Sequence, residues 1–110
     1  MKENIINSLK KLFSGATGAI KVTYRTSKSH DIIKFDMLGH QITEDNGIIK
    51  VYDDKDGQTY APKTITIDPL EVDSVIYKDD KSGSQRICSR NVVICMVDKS
   101  RIELGTMAIG

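Results

Sequence analysis

The chain has 110 residues, 28% of them charged, with 16 Lys and Arg against 15 Asp and Glu for a formal net charge of +1. Such a length fits one domain that buries roughly 65% of its unfolded surface without staples, and the balanced charge excludes any partner dictated by global charge, whether nucleic acid or anionic membrane. With no Trp, two Phe and four Tyr, the core falls to Ile, Val, Leu and Met, and few platforms remain for stacking bases.

From Lys2 to Phe13, the residues Ile5, Ile6, Leu9, Leu12 and Phe13 recur at helical spacing beside Lys2, Lys10 and Lys11. This predicts an amphipathic N-terminal helix, residues 1–14, that ends near Gly15 and docks on protein in preference to a membrane surface. After a small-residue connection, Ile20, Val22 and Tyr24 alternate with Lys21, Thr23 and Arg25 as a half-buried strand. Ser27 to His30 reads as a turn, and Ile33, Phe35 and Met37 alternate with Lys34 and Asp36. The segment Leu38 to Asp45 is less regular; a bulge or bend at Gly39 would carry the strand on to end near Ile42.

Asn46-Gly47 and Asp56-Gly57 supply the positive φ that tight hairpin turns need. Between them Ile49 and Val51 share one face of a strand and Ile48, Lys50 and Tyr52 the other. A three-residue loop ending at Gly57 would set Tyr52 opposite Tyr60. Pro62 ends or edges the strand before it, and Thr64 to Ile67 alternates again. Asp68-Pro69 offers an N-cap and a first helical residue, which predicts a 3₁₀ turn with Leu70 and Val72 turned inward. Ser74 to Tyr77 reads as a strand, Lys78 to Gln85 as a turn around Gly83, and Arg86 to Cys88 as the start of the next strand. Val92 to Val97 is apolar throughout, the pattern of a strand covered on both faces within a barrel or sandwich or at a subunit contact. Asp98 to Ser100 turns the chain into a last strand, Arg101 to Leu104, and 105–110 is a tail.

The fold class expected is therefore mainly β: a small antiparallel β-barrel or roll over residues 19–104 in one domain, with one N-terminal amphipathic helix over an open end or face. The helix-then-strands order is similar in general architecture to Sm-like and SH3-like barrels, without their sequence motifs. That likeness transfers no function.

No cluster of catalytic or metal-ligand residues stands out. The acidic stretch Asp53, Asp54, Asp56 and Gly57 fails the calcium-loop spacing, since with Gly57 sixth the first position is Tyr52 and the twelfth Lys63. Ser14 to Gly18 lacks the Lys-Ser or Lys-Thr of a phosphate loop. His30 and His40 read as surface residues, and Cys88 and Cys95 as free thiols without a neighbouring base. No stretch reaches the ~20 apolar residues of a membrane span, and no secretory signal opens the chain, so the expected location is cytoplasmic.

These features predict a protein without cofactor or enzymatic activity, a homo-oligomer that binds a protein partner through a β surface. Small accessory proteins of phages and mobile elements, capsid-associated or inhibiting host defence, have this character. The expected oligomer contacts are Ile5, Leu9 and Leu12 on the helix and Val92 and Ile94 on the apolar strand. The alternative is a site for single-stranded nucleic acid or a nucleotide-like molecule, formed where Arg86, Arg90, Lys99 and Arg101 meet on one surface, because the guanidinium fork suits phosphate.

Overall fold

The computed structural model describes residues 1–14, 20–27, 32–37, 41–52, 64–80 and 89–106. Helix α1 (Lys2–Ser14) precedes eight strands: β1 (Ile20–Arg25), β2 (Ile32–Met37), β3 (Gln41–Asp45), β4 (Ile48–Tyr52), β5 (Thr64–Ile67), β6 (Val72–Asp80), β7 (Ser89–Met96) and β8 (Arg101–Thr106). A 3₁₀ turn, Pro69–Glu71, joins β5 to β6. The strands form two antiparallel sheets, one of five in the order β2-β1-β8-β7-β6 and one of three in the order β3-β4-β5. The mainly β architecture with one helix is as expected. Among the described residues the two sheets do not close into a barrel.

Side-chain alternation decides which residues meet. In the five-stranded sheet the cross-strand rows Ile20–Met37, Val22–Leu104, Val92–Leu104 and Ile94–Ile102 all lie on one face, and that face is the core. In the smaller sheet Ile49 pairs with Ile67 and Val51 with Ile65, and these four close the same core. The face assignment on β4 is the one its alternation predicts.

Helix α1 packs on β6 and β7. Its residues Ile5, Leu9 and Leu12 fall on one stripe and are fully buried, each burial contributing about 1.5–3 kcal/mol. The Lys11 ammonium sits 4.9 Å from the centroid of the Tyr77 ring, a cation–π contact between helix and edge strand. Val92 and Ile94 are likewise 0% exposed. The five side chains expected at an oligomer contact therefore lie inside a single chain, because the helix stripe is satisfied by the sheet next to it.

Three local expectations change. Strand β3 runs on to Asp45, since the tight turn at Asn46 and Gly47, with φ of 53° and 81°, lets Asp45 pair with Ile48. Strand β6 begins at Val72 and continues to Asp80, so Lys78 and Asp79 are paired residues and not a turn. Strand β8 extends to Thr106, which takes Gly105 and Thr106 out of the tail. The expected Tyr52–Tyr60 pair, the bend at Gly39, the Asp56-Gly57 turn, and the segments 15–19 and 81–88 lie outside the described residues.

The run Val92 to Val97 gives Val92 and Ile94 to the core and leaves Val97 57% exposed. Val93 points to the other face, where it is 7% exposed between Ile76 on β6 and Glu103 on β8. Strand β6 carries a bulge: Val72 pairs with Met96 and Ser74 with Cys95, leaving Asp73 as the extra residue. That one residue allows both Val72 and Val75 to face the core side.

Candidate interaction surface

The core face of the larger sheet is not closed along its whole length. At one end Ile20 and Met37 pair and both are 0% exposed; at the other, Tyr24 pairs with Ile33, which is 52% exposed. The sheets part there into a groove of about 290 Å³, lined by Val22, Tyr24, Ile33, Phe35, Ile65 and Ile102 among others. On the opposite face of β2, Ile32 is 47% exposed. Among the described residues β2 pairs only with β1. An apolar edge strand thus borders an apolar groove.

The far face of the same sheet is polar. Lys21, Thr23, Arg25, Lys34, Asn91 and Glu103 surround a shallow basin of about 510 Å³. Registers explain it, because Lys34 and Glu103 both lie opposite Thr23, and Gly105 lies between Lys21 and Asn91. A Cβ at Gly105 would meet the Asn91 amide oxygen, so the Asn91 side chain would have to shift to admit one. Among the described residues no carboxylate forms an ion pair with Lys21, Arg25 or Lys34.

Of the four cations expected to form one surface, Arg90 and Arg101 do not share a face. Arg90 and Cys95 lie five positions apart on β7, on opposite faces of the sheet, and Arg101 pairs with Cys95. Arg90 and Arg101 are therefore on opposite sides and about 16 Å apart along the strand. The Arg90 amide donates to Thr106 Oγ1 at 3.1 Å, and Arg101 Nε sits 3.6 Å from Glu103. Lys99 is exposed in the β7–β8 turn with φ of 75°, a backbone position. Arg86 lies outside the described residues, as do His30, His40 and Cys88. Cys95 is a half-buried free thiol.

Lys21, Arg25 and Lys34 were legible as the polar positions of two strands, yet only the β1–β2 register shows that they share a basin. Among the described residues no group of three or more His, Cys, Asp or Glu is placed to hold a metal ion, and no helix is long and apolar enough to cross a membrane. In comparisons with protein-family models, curated proteins and solved structures, nothing matches this chain.

Proposed function

We propose that this chain is a non-enzymatic interaction protein that self-associates and offers a β surface to a protein partner. The observation that supports it is the β2 edge, which exposes Ile32 and Ile33 on opposite faces and borders the groove between the sheets. A partner strand docked beside the groove would lower alternate apolar side chains toward it. Multi-angle light scattering is the direct check on self-association. A strict monomer at tens of micromolar removes that part. For the partner, peptides selected on the wild-type chain and counter-selected on Ile33→Lys are expected to alternate apolar and polar residues; selection without such a pattern removes the β-surface reading.

The roll expected from the sequence fits this reading. β5 and β6 belong to different sheets and are joined by residues 68–71 alone, and β2 and β3 by 38–40, so short connections cross between the sheets twice.

A second reading, binding of an anionic ligand such as single-stranded nucleic acid or a nucleotide-like molecule, moves from the expected arginines to the basin with Lys21, Arg25 and Lys34. Its test is affinity for a short single-stranded oligonucleotide against salt: a steep loss supports phosphate contacts. Unchanged affinity in Arg25→Ala with Lys34→Ala removes it.

A further inference from the structure

We infer that the polar basin on the far face of the larger sheet is a site for a small phosphomonoester that carries a hydroxyl or amine near its phosphate. The inference rests on the anionic-ligand reading above and names the class of ligand which that reading leaves open.

The site is centred on one threonine. Along β1, Lys21, Thr23 and Arg25 take the same face because they alternate with Val22 and Tyr24. Thr23 lies opposite Lys34 on β2 and opposite Glu103 on β8. Its short hydroxyl-bearing side chain is therefore a floor, with Lys34 and Glu103 each one strand spacing away, about 4.8 Å, and Lys21 and Arg25 each two residues away along the strand, about 6.7 Å. All five residues line the basin. Cations stand on three sides of Thr23 and a carboxylate on the fourth.

The cations are left to bind something else. Glu103 turns toward Arg101, whose Nε is 3.6 Å from it and has no hydrogen-bond partner, so it does not neutralise Arg25 or Lys34. Arg101 is also directly opposite Arg25, and like charges so placed destabilise a pair of strands unless an anion lies between them. Asp36 faces Lys21 across the strands without lining the basin, which leaves Arg25 and Lys34 as the main phosphate contacts. The Arg25 fork can donate twice to one phosphate, Lys34 supplies a point charge, and the Thr23 hydroxyl donates from below.

Charge and Glu103 together set the class of ligand. In the basin the three cations exceed the one carboxylate by two charges, the charge a phosphomonoester approaches near neutral pH, whereas each phosphate of a nucleic-acid strand carries one. Glu103 repels a bare phosphate but accepts a hydrogen bond from a donor attached to one. One strand spacing, about 4.8 Å, is the span from a phosphorus to a hydroxyl on the second or third carbon of its ester.

Titrations followed by the Thr23 amide resonance test this, with glycerol 3-phosphate, propyl phosphate and inorganic phosphate as probes. Glycerol 3-phosphate is expected to bind about fivefold more tightly than propyl phosphate, which lacks the hydroxyls, the worth of one net hydrogen bond. Glu103→Ala is expected to erase that preference and to tighten inorganic phosphate about threefold by removing a like charge; a merely structural loss would weaken all three probes. Arg25→Ala with Lys34→Ala is expected to weaken all three about tenfold or more. If the two esters bind equally and Glu103→Ala leaves them equal, while the double variant weakens both, the ligand class is overturned and the anionic site stands. Salt-sensitive binding of a short oligothymidylate, with no binding of the three probes up to about 10 mM, has the same meaning. Affinities unchanged in the double variant, or no binding of any of the four molecules, remove both.

Discussion

The Lys2 ammonium lies 2.7 Å from the Glu44 carboxylate, which ties the first turn of α1 to an edge strand 42 positions along the chain. Glu44 can reach it because it is opposite Ile49, on the core-facing side of the smaller sheet, where the helix also packs.

That carboxylate raises the Lys2 pKa above 10.5, first through the hydrogen bond and then through its charge. The folded chain holds this proton more tightly than the unfolded one. The stabilisation is thus complete below 10.5 and is lost as pH rises through the raised value. Thermal melts are expected to fall above that pH, less steeply for Lys2→Gln, and the difference to shrink with salt because the pair is exposed. Identical slopes for the two chains would show that the contact does not couple to folding.

Leu9→Ala opens a cavity where the helix meets β6 and β7 and is expected to cost about 3 kcal/mol in urea unfolding. The residue is fully buried within one chain, so self-association of the folded fraction should not change. A variant of full stability and altered oligomer state would move Leu9 back to an intermolecular role.

At the 3₁₀ turn, Asp68 Oδ1 accepts from the Leu70 amide at 3.0 Å and Pro69 occupies the first turn position. Loss of that cap in Asp68→Ala is expected to cost about 1 kcal/mol. Leu70 is 88% exposed, contrary to the inward position expected for it, because a three-residue turn can point only some of its side chains at the core and Val72 takes that place. Leu70→Lys should therefore fall within about 0.5 kcal/mol of wild type; a larger loss in chemical denaturation would contradict the exposure.

Lys99 adopts a left-handed backbone, φ of 75°, between a turn closed by its own amide on Met96 O at 3.1 Å and the bond from Met96 N to Ser100 O at 2.9 Å. A Cβ is strained there. Lys99→Gly relieves the strain and adds freedom to the unfolded chain, for a net change from zero to about 1 kcal/mol of stabilisation. A destabilisation of that size in the same melt would show that the lysine side chain makes a contact of its own.

Much of the fold was legible because neighbouring residues carry it. The stripe of Ile5, Leu9 and Leu12, the alternation of Ile20, Val22 and Tyr24, the Asn46-Gly47 turn and the Asp68-Pro69 start each follow from spacing or backbone preference within a few positions. What spacing does not carry is the identity of the surface that covers a stripe: a sheet of the same chain and a second copy bury Leu9 equally well. The candidate site was harder still. Arg90 and Arg101 can be assigned to faces only when the number of residues in the β7–β8 turn is known, and that number depends on Lys99 accepting an unfavourable φ. Ile32 and Ile33 are adjacent and so must point to opposite faces, a pattern that marks an exposed edge once β2 is known to have a neighbour on one side.

The bulge at Asp73 also makes β6 unequal in its tolerance of shortening. Removing Asp73 would leave Val72, Val75 and Tyr77 on the sides they already occupy, since it is the residue in excess of the partner strand. Removing Ser74 instead would let Asp73 take its place opposite Cys95 with the same result, whereas removing both would swing Tyr77 away from Lys11 and empty the seat beneath the helix. Chains related by descent could therefore drop one position at the bulge and keep the same interior, but not two.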